Sequence, residues 1–95
     1  MERERELQES LRELSTLLRA VGEMPWADRC AWAADRVGAG GDPAEVRRMF
    51  GGMGSLSDLV IHPVNGHAVA DDQIARVNEA LTGLRERVYL ASQPR

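Results

Sequence analysis

Two histidines, His62 and His67, flank the run Pro63-Val64-Asn65-Gly66. If all of that run forms a loop, the imidazoles face each other across a hairpin, close enough to share a metal ion or a proton-transfer task. If only Asn65-Gly66 turns, His67 pairs with Val64 and the two rings separate. A zinc site needs a third ligand, and Asp58 is the only nearby acid on the same strand face. Polar residues on an exposed hairpin, with no metal and no cofactor, are the simpler expectation. Upstream, Gly51-Gly52-Met53-Gly54-Ser55 has the composition of a backbone nest for phosphate, yet it lacks the Lys-Ser/Thr ending of a P-loop and no clear strand precedes it. A glycine-permitted chain reversal with Met53 plugging a gap is expected instead. Cys30 falls between Trp26 and Ala33 on one helical stripe with no base beside it, which makes it a core thiol rather than a nucleophile. No catalytic set assembles from these residues, and a non-enzymatic protein is the reading.

Charge narrows the partners. All 12 cationic residues are arginine, and the net charge is −3. Arg47-Arg48 and Arg85-Glu86-Arg87 are too small and too diluted by acids to track a nucleic acid. Glu23, Asp28, Asp35, Asp42 and Asp71-Asp72 cluster near expected helix ends, where they cap helices or present negative charge to a basic partner. No run of apolar residues is long enough to cross a membrane. A single cysteine and an opening Met-Glu-Arg-Glu-Arg lead to the expectation of a cytoplasmic protein.

The elements that must position these groups are helical. In a chain of 95 residues there is room for one domain, 1–95, with one core. Leu7, Leu11, Leu14, Leu18 and Val21 repeat at a 4-3-4-3 spacing, which predicts a helix over about 2–21 with one buried stripe. Its flanking positions Gln8, Ser10, Ser15 and Leu17 are small, polar or apolar but uncharged, as suits a helix gripped on both sides by neighbours. A second helix is predicted over about 25–37, started by Pro25 and ended by glycines, with Trp26, Cys30, Ala33 and Val37 inward and Trp32 on a neighbouring stripe. The two tryptophans are expected to supply much of the core. Asp42-Pro43-Ala44-Glu45 starts a short helix over about 43–50. A β-hairpin over about 59–69, pairing 59–62 with 67–69 around Asn65-Gly66, is expected to lie against the helices. The last helix, about 72–92, carries Ile74, Val77, Leu81, Leu84, Val88 and Ala91 at the same heptad spacing as the first. The two long helices are therefore expected to pack side by side as a spine. The fold class is mainly α: a small four-helix domain with a short hairpin.

The segment from Phe50 to Ile61, Phe-Gly-Gly-Met-Gly-Ser-Leu-Ser-Asp-Leu-Val-Ile, resembles the signature of a family of small, largely uncharacterised bacterial proteins. Trp32 and the Gly41-Asp42 helix start resemble its upstream features; where that family has an aromatic residue and often Asn after Gly-Ser, this chain has Leu56 and Ser57. The resemblance implies a helical fold with a short hairpin and no known catalysis. It further implies a link to bacterial conflict systems, where small acidic cytosolic proteins are immunity partners of secreted toxins.

The leading expectation is thus a binding protein, an immunity protein that occludes the active site of a cognate toxin, using Met53, Asp58, His62, Asn65 and His67 on the glycine loop and hairpin. The rival is a structural or regulatory homodimer formed through the leucine face of the first helix, to which Leu17 adds. A metal-dependent hydrolase built on His62 and His67 is a third class.

Overall fold

The chain is described by a computed structural model over residues 2–94. Helix α1 spans Glu2–Ala20 and helix α2 spans Met24–Gly38. The turn between them is a Schellman closure: the N–H of Gly22, at φ 80°, donates to Arg19 O over 3.1 Å, and Glu23 N–H donates to Leu18 O over 2.8 Å. Helix α3, Ala44–Arg47, runs on as a 3-10 turn through Phe50. Its entry is capped by Asp42, whose Oδ1 accepts from Ala44 N–H at 2.9 Å. Helix α4, Ile74–Ser92, follows a 3-10 turn over Asp71–Gln73. The predicted helices are all present, within one or two residues at each end save α3, whose α-helical stretch ends at Arg47 and continues as a 3-10 turn to Phe50.

Leu7, Leu11, Leu14 and Leu18 are completely buried, as their period requires, and Ser10 and Ser15 beside them are buried too. The uncharged flanks therefore do mark a helix covered on both sides. Ser15 Oγ donates to Ala27 O at 2.8 Å and so stitches α1 to α2. Ion pairs finish the outer seams. Arg12 reaches Asp35 at 2.8 Å and Arg19 reaches Asp28 at 3.0 Å between α1 and α2, while Arg87 of α4 holds Glu6 and Glu13 of α1. Such exposed pairs each contribute little energy.

Packing adds to one expectation and corrects another. First, α1 does lie against α4 as expected, but it packs more extensively on α2. The buried face of α2 is Ala27, Cys30, Ala33, Ala34 and Val37. Small side chains let the helix axes approach closely, so this face takes more of the leucine stripe than the bulkier α4 can. On α4 only Leu81, Val88 and Ser92 are fully buried. Second, the tryptophans are not the heart of the core. Trp26 is half-buried, and Trp32 remains 58% exposed. The buried face turned slightly along α2, trading two large aromatics for alanines.

The predicted β-hairpin over 59–69 is also corrected: there is no strand among the described residues. The chain does reverse there, over all of Pro63-Val64-Asn65-Gly66, with a 3-10 turn at Pro63–Asn65 and Gly66 at φ 85°. Asn65 N–H and His67 N–H both donate to His62 O, at 2.9 and 3.4 Å. Beyond that pair the ladder stops, because the backbone groups that would build it are taken by other partners. Asn78 of α4 accepts from Ile61 N–H at 2.9 Å and donates to Ile61 O at 2.8 Å. Arg85 of α4 donates to Leu56, Ser57 and Leu59 carbonyls at 3.0, 3.2 and 2.9 Å. On the return leg, Ala68 N–H donates to Val21 O at 2.9 Å. Every buried amide must find a partner, and here side chains from a helix supply what a neighbouring strand would have.

Candidate functional site

Between α3 and α4 lies an irregular stretch, residues 51–70, held as described by Arg85, Asn78 and the α1–α2 turn. Within it Gly52 and Gly54 adopt φ of +79° and +72°, whereas Gly51 has an ordinary −93°. The left-handed region is costly for any residue with a Cβ, so the reversal depends on these two glycines. Gly54 N–H donates to Asp58 Oδ2 at 2.9 Å. The amide that would serve a phosphate nest is thus engaged by the chain's own carboxylate. Ser57 Oγ donates to Phe50 O at 2.7 Å and closes the loop from the other side.

The five residues singled out from sequence separate into three kinds. Met53 is 99% exposed at the loop tip, far from the gap-plugging role expected of it. Asp58 and Asn65 are exposed and line a shallow groove of about 200 Å3, together with Trp26, Gly54, Ser55, Leu59 and Val60. His67 forms part of the groove wall but is itself buried, at 8% exposure, and His62 is half-buried away from the groove. Asn65 Nδ2 donates to Val60 O at 3.1 Å, which fixes the reversal against the groove.

Both imidazoles are committed. His62 Nδ1 accepts from Val64 N–H at 3.0 Å, an N-cap for the 3-10 turn. His67 Nδ1 accepts from His62 N–H at 3.1 Å, so the neutral ring carries its proton on Nε2 and donates it to Glu23 Oε1 at 2.9 Å. The chain reverses over all four residues, but the His67 ring bonds the backbone N–H of His62 and the His62 ring bonds that of Val64, so the histidines act as backbone clamps rather than as a shared ligand pair. Asp58 spends one oxygen on Gly54, and among the described residues no group of three His, Cys, Asp or Glu converges on a point. Glu23 is set in place by the Schellman turn at Gly22, so the first helix-helix turn anchors the far end of the site.

Sequence reasoning missed Trp26, Glu23, Asn78 and Arg85 as parts of this site. The stripe of α2 predicts Trp26 in the core, and the position of Glu23 predicts a helix-end acid. Asn78 and Arg85 sit on α4 one residue after Val77 and Leu84, a spacing that puts them at the edge of the buried stripe. A polar residue at that edge is the signal that a packed loop rather than water receives it.

Cys30 is fully buried, and burial pushes its thiol up to about 12 against a small opposing influence of Arg29. At neutral pH it stays protonated and unreactive. A thiol reagent is expected to label Cys30 no faster than the chain unfolds, and to label it at once in denaturant. Rapid labelling of the native protein would contradict the burial.

A family model described as a domain of unknown function, DUF6966, matches residues 19–70. The match takes in the α1–α2 turn, all of α2 and α3, the glycine loop and the reversal through Val69, which is just over half of the chain. No curated protein and no solved structure matches.

Proposed function

The chain belongs to this family of unknown function, and from that premise we propose that it is a non-enzymatic binding domain, specifically an immunity protein that blocks the active cleft of a toxin with its loop edge. The observation that carries this reading is the combination of rigidity and exposure in the matched segment. Its backbone is pinned by Arg85, Asn78 and His67, yet it presents Met53, Val64 at 80% exposure and Val60 to solvent beside Asp58 and Asn65. A preordered edge that offers apolar side chains with a polar border loses little entropy on docking. The groove at its centre is below the size of pockets that enclose metabolites, about 300 Å3 and upward, and its polar groups are already hydrogen-bonded. Acidic character at Asp58 suits a basic cleft on the partner. Among the described residues no helix is long and apolar enough to cross a membrane.

The rival homodimer through the leucine face has little surface left to use. Those leucines are covered by α2 and α4 within one chain, and Leu17 is half-buried beside Leu84.

The test uses the native host. The parent chain serves as bait, and the protein it captures is purified and titrated against the parent, Asp58→Arg and Asp58→Asn chains. The charge reversal is expected to weaken that complex by roughly 30-fold, about 2 kcal/mol at an interface centre. Asp58→Asn keeps an acceptor for Gly54 N–H and should weaken it less, with the free variant melting as the parent does. Equal affinity of all three chains for the captured protein would move the interface off this edge.

A further inference from the structure

One side of α2 carries half-buried Trp26, which packs at the edge of the core, and exposed Arg29, Trp32 and Arg36, at spacings of three, three and four. The guanidinium of Arg29 lies over the Trp26 ring, 4.2 Å from its centroid, and that of Arg36 lies 5.4 Å from the centroid of Trp32. Arg36 is fixed further by Glu45 of α3, through Nη2–Oε1 at 2.7 Å and Nε–Oε2 at 3.4 Å. Where α2 meets α3 this stripe borders a recessed cleft of about 80 Å3. Ala33, Val37, Val46 and Met49 form its apolar floor, and exposed Trp32 is a wall.

The cleft is too small for a metabolite but suited to a single aliphatic side chain. Its walls are the residue types that dominate protein-protein hot spots, and they are already ordered by stacking and a bidentate ion pair. The rim charges are not equivalent. Arg36 and Glu45 neutralise each other, and Asp42 accepts from Ala44 N–H. Arg29 is exposed and, among the described residues, no carboxylate pairs with it, since Asp28 is held by Arg19. Stacking on Trp26 leaves the edges of its guanidinium available for a bidentate carboxylate.

We propose that the α2–α3 cleft is a second recognition site, which takes an aliphatic side chain of a protein segment whose neighbouring acid pairs with Arg29. This does not rest on the loop-edge reading. A single-stranded nucleic acid would also stack on tryptophan, but it needs a track of free cations, and among the described residues of this stripe Arg29 alone lacks a carboxylate, Arg36 being held by Glu45.

The probes are blocked tripeptides, Asp-Leu-Glu against Asp-Ser-Glu and Arg-Leu-Arg, titrated to millimolar concentration while NMR follows the Trp32 indole N–H and the Met49 methyl. Asp-Leu-Glu is expected to shift both signals along a saturating curve, and the other two to bind at least 5-fold more weakly. Arg29→Gln should abolish the preference for the acidic peptide over the basic one, and Trp32→Ala should remove the Met49 response, both at exposed positions that leave the melting curve unchanged. Equal shifts from all three peptides, or none, would overturn the proposal. So would concentration-dependent shifts of the same signals without peptide, which would assign the cleft to a second copy, or tighter binding of a short oligothymidylate.

Discussion

Leu14→Ala is expected to lower stability by about 2–5 kcal/mol, the range for emptying a fully buried leucine position. Leu14 is the middle of a stripe that is buried over its whole length under α2 and α4, so no side chain nearby can swing in from solvent to fill the gap. A domain of this size has about 5–10 kcal/mol in total, and each kcal/mol shifts the melting temperature by roughly 4–8 °C. The variant should therefore melt at least about 8 °C below the parent, with about the same cooperativity. Leu81→Ala, on the buried part of α4, should behave alike. Leu90→Ala on the same helix is 57% exposed in the parent and should change little. Equal melting of Leu14→Ala and the parent would mean that the stripe is not the core.

The second large effect is expected where no stripe predicts it. Asn78→Leu removes the side chain that holds Ile61 by both its N–H and its carbonyl, and Asn78 also donates to Ile74 O at 2.9 Å. Ile61 is completely buried. With its partner gone, two backbone groups lose their hydrogen bonds in an apolar setting, each at a cost of about 1–3 kcal/mol. A loss of roughly 2–6 kcal/mol is expected, together with fast amide exchange at Ile61 and a loosened loop edge. Asn78→Asp, which keeps the acceptor but not the donor, should fall between. A variant that melts like the parent and keeps the Ile61 amide protected would show that the segment has other support.

These two positions divide what could be read from residue order from what could not. The helices were legible because each carries its own evidence: a heptad stripe in α1 and α4, proline starts in α2 and α3, glycine at the ends. Periodicity is local, and a stripe of five apolar residues has to be buried against something. The partner was another matter. α1 and α4 share a period, which led to the expectation of a spine, but which helix takes the larger share depends on side-chain size across the interface, and Ala27, Cys30, Ala33 and Ala34 decided it for α2. The same rotation of α2 left Trp32 outside, where it walls a cleft, although tryptophan chemistry alone would place it within.

In the loop region the limits are sharper. Extended residues, a proline and Asn-Gly describe a reversal, and the reversal is there, with the His67 ring bonded to the backbone N–H of His62. Whether the two legs pair with each other is not a property of the legs. Strand pairing competes with every other donor and acceptor brought within reach, and in this protein Asn78, Arg85 and the Val21 carbonyl arrive from elements distant along the chain. The sequence by itself therefore determined the helices, the need for left-handed glycines and the place of the turn, since all of these follow from short-range sterics and periodicity. Only the tertiary structure decided that the histidines are clamps, that the hairpin is replaced by side-chain bonds to α4, and which apolar groups remain outside, because those outcomes depend on which polar partners and packing surfaces meet once the chain is folded.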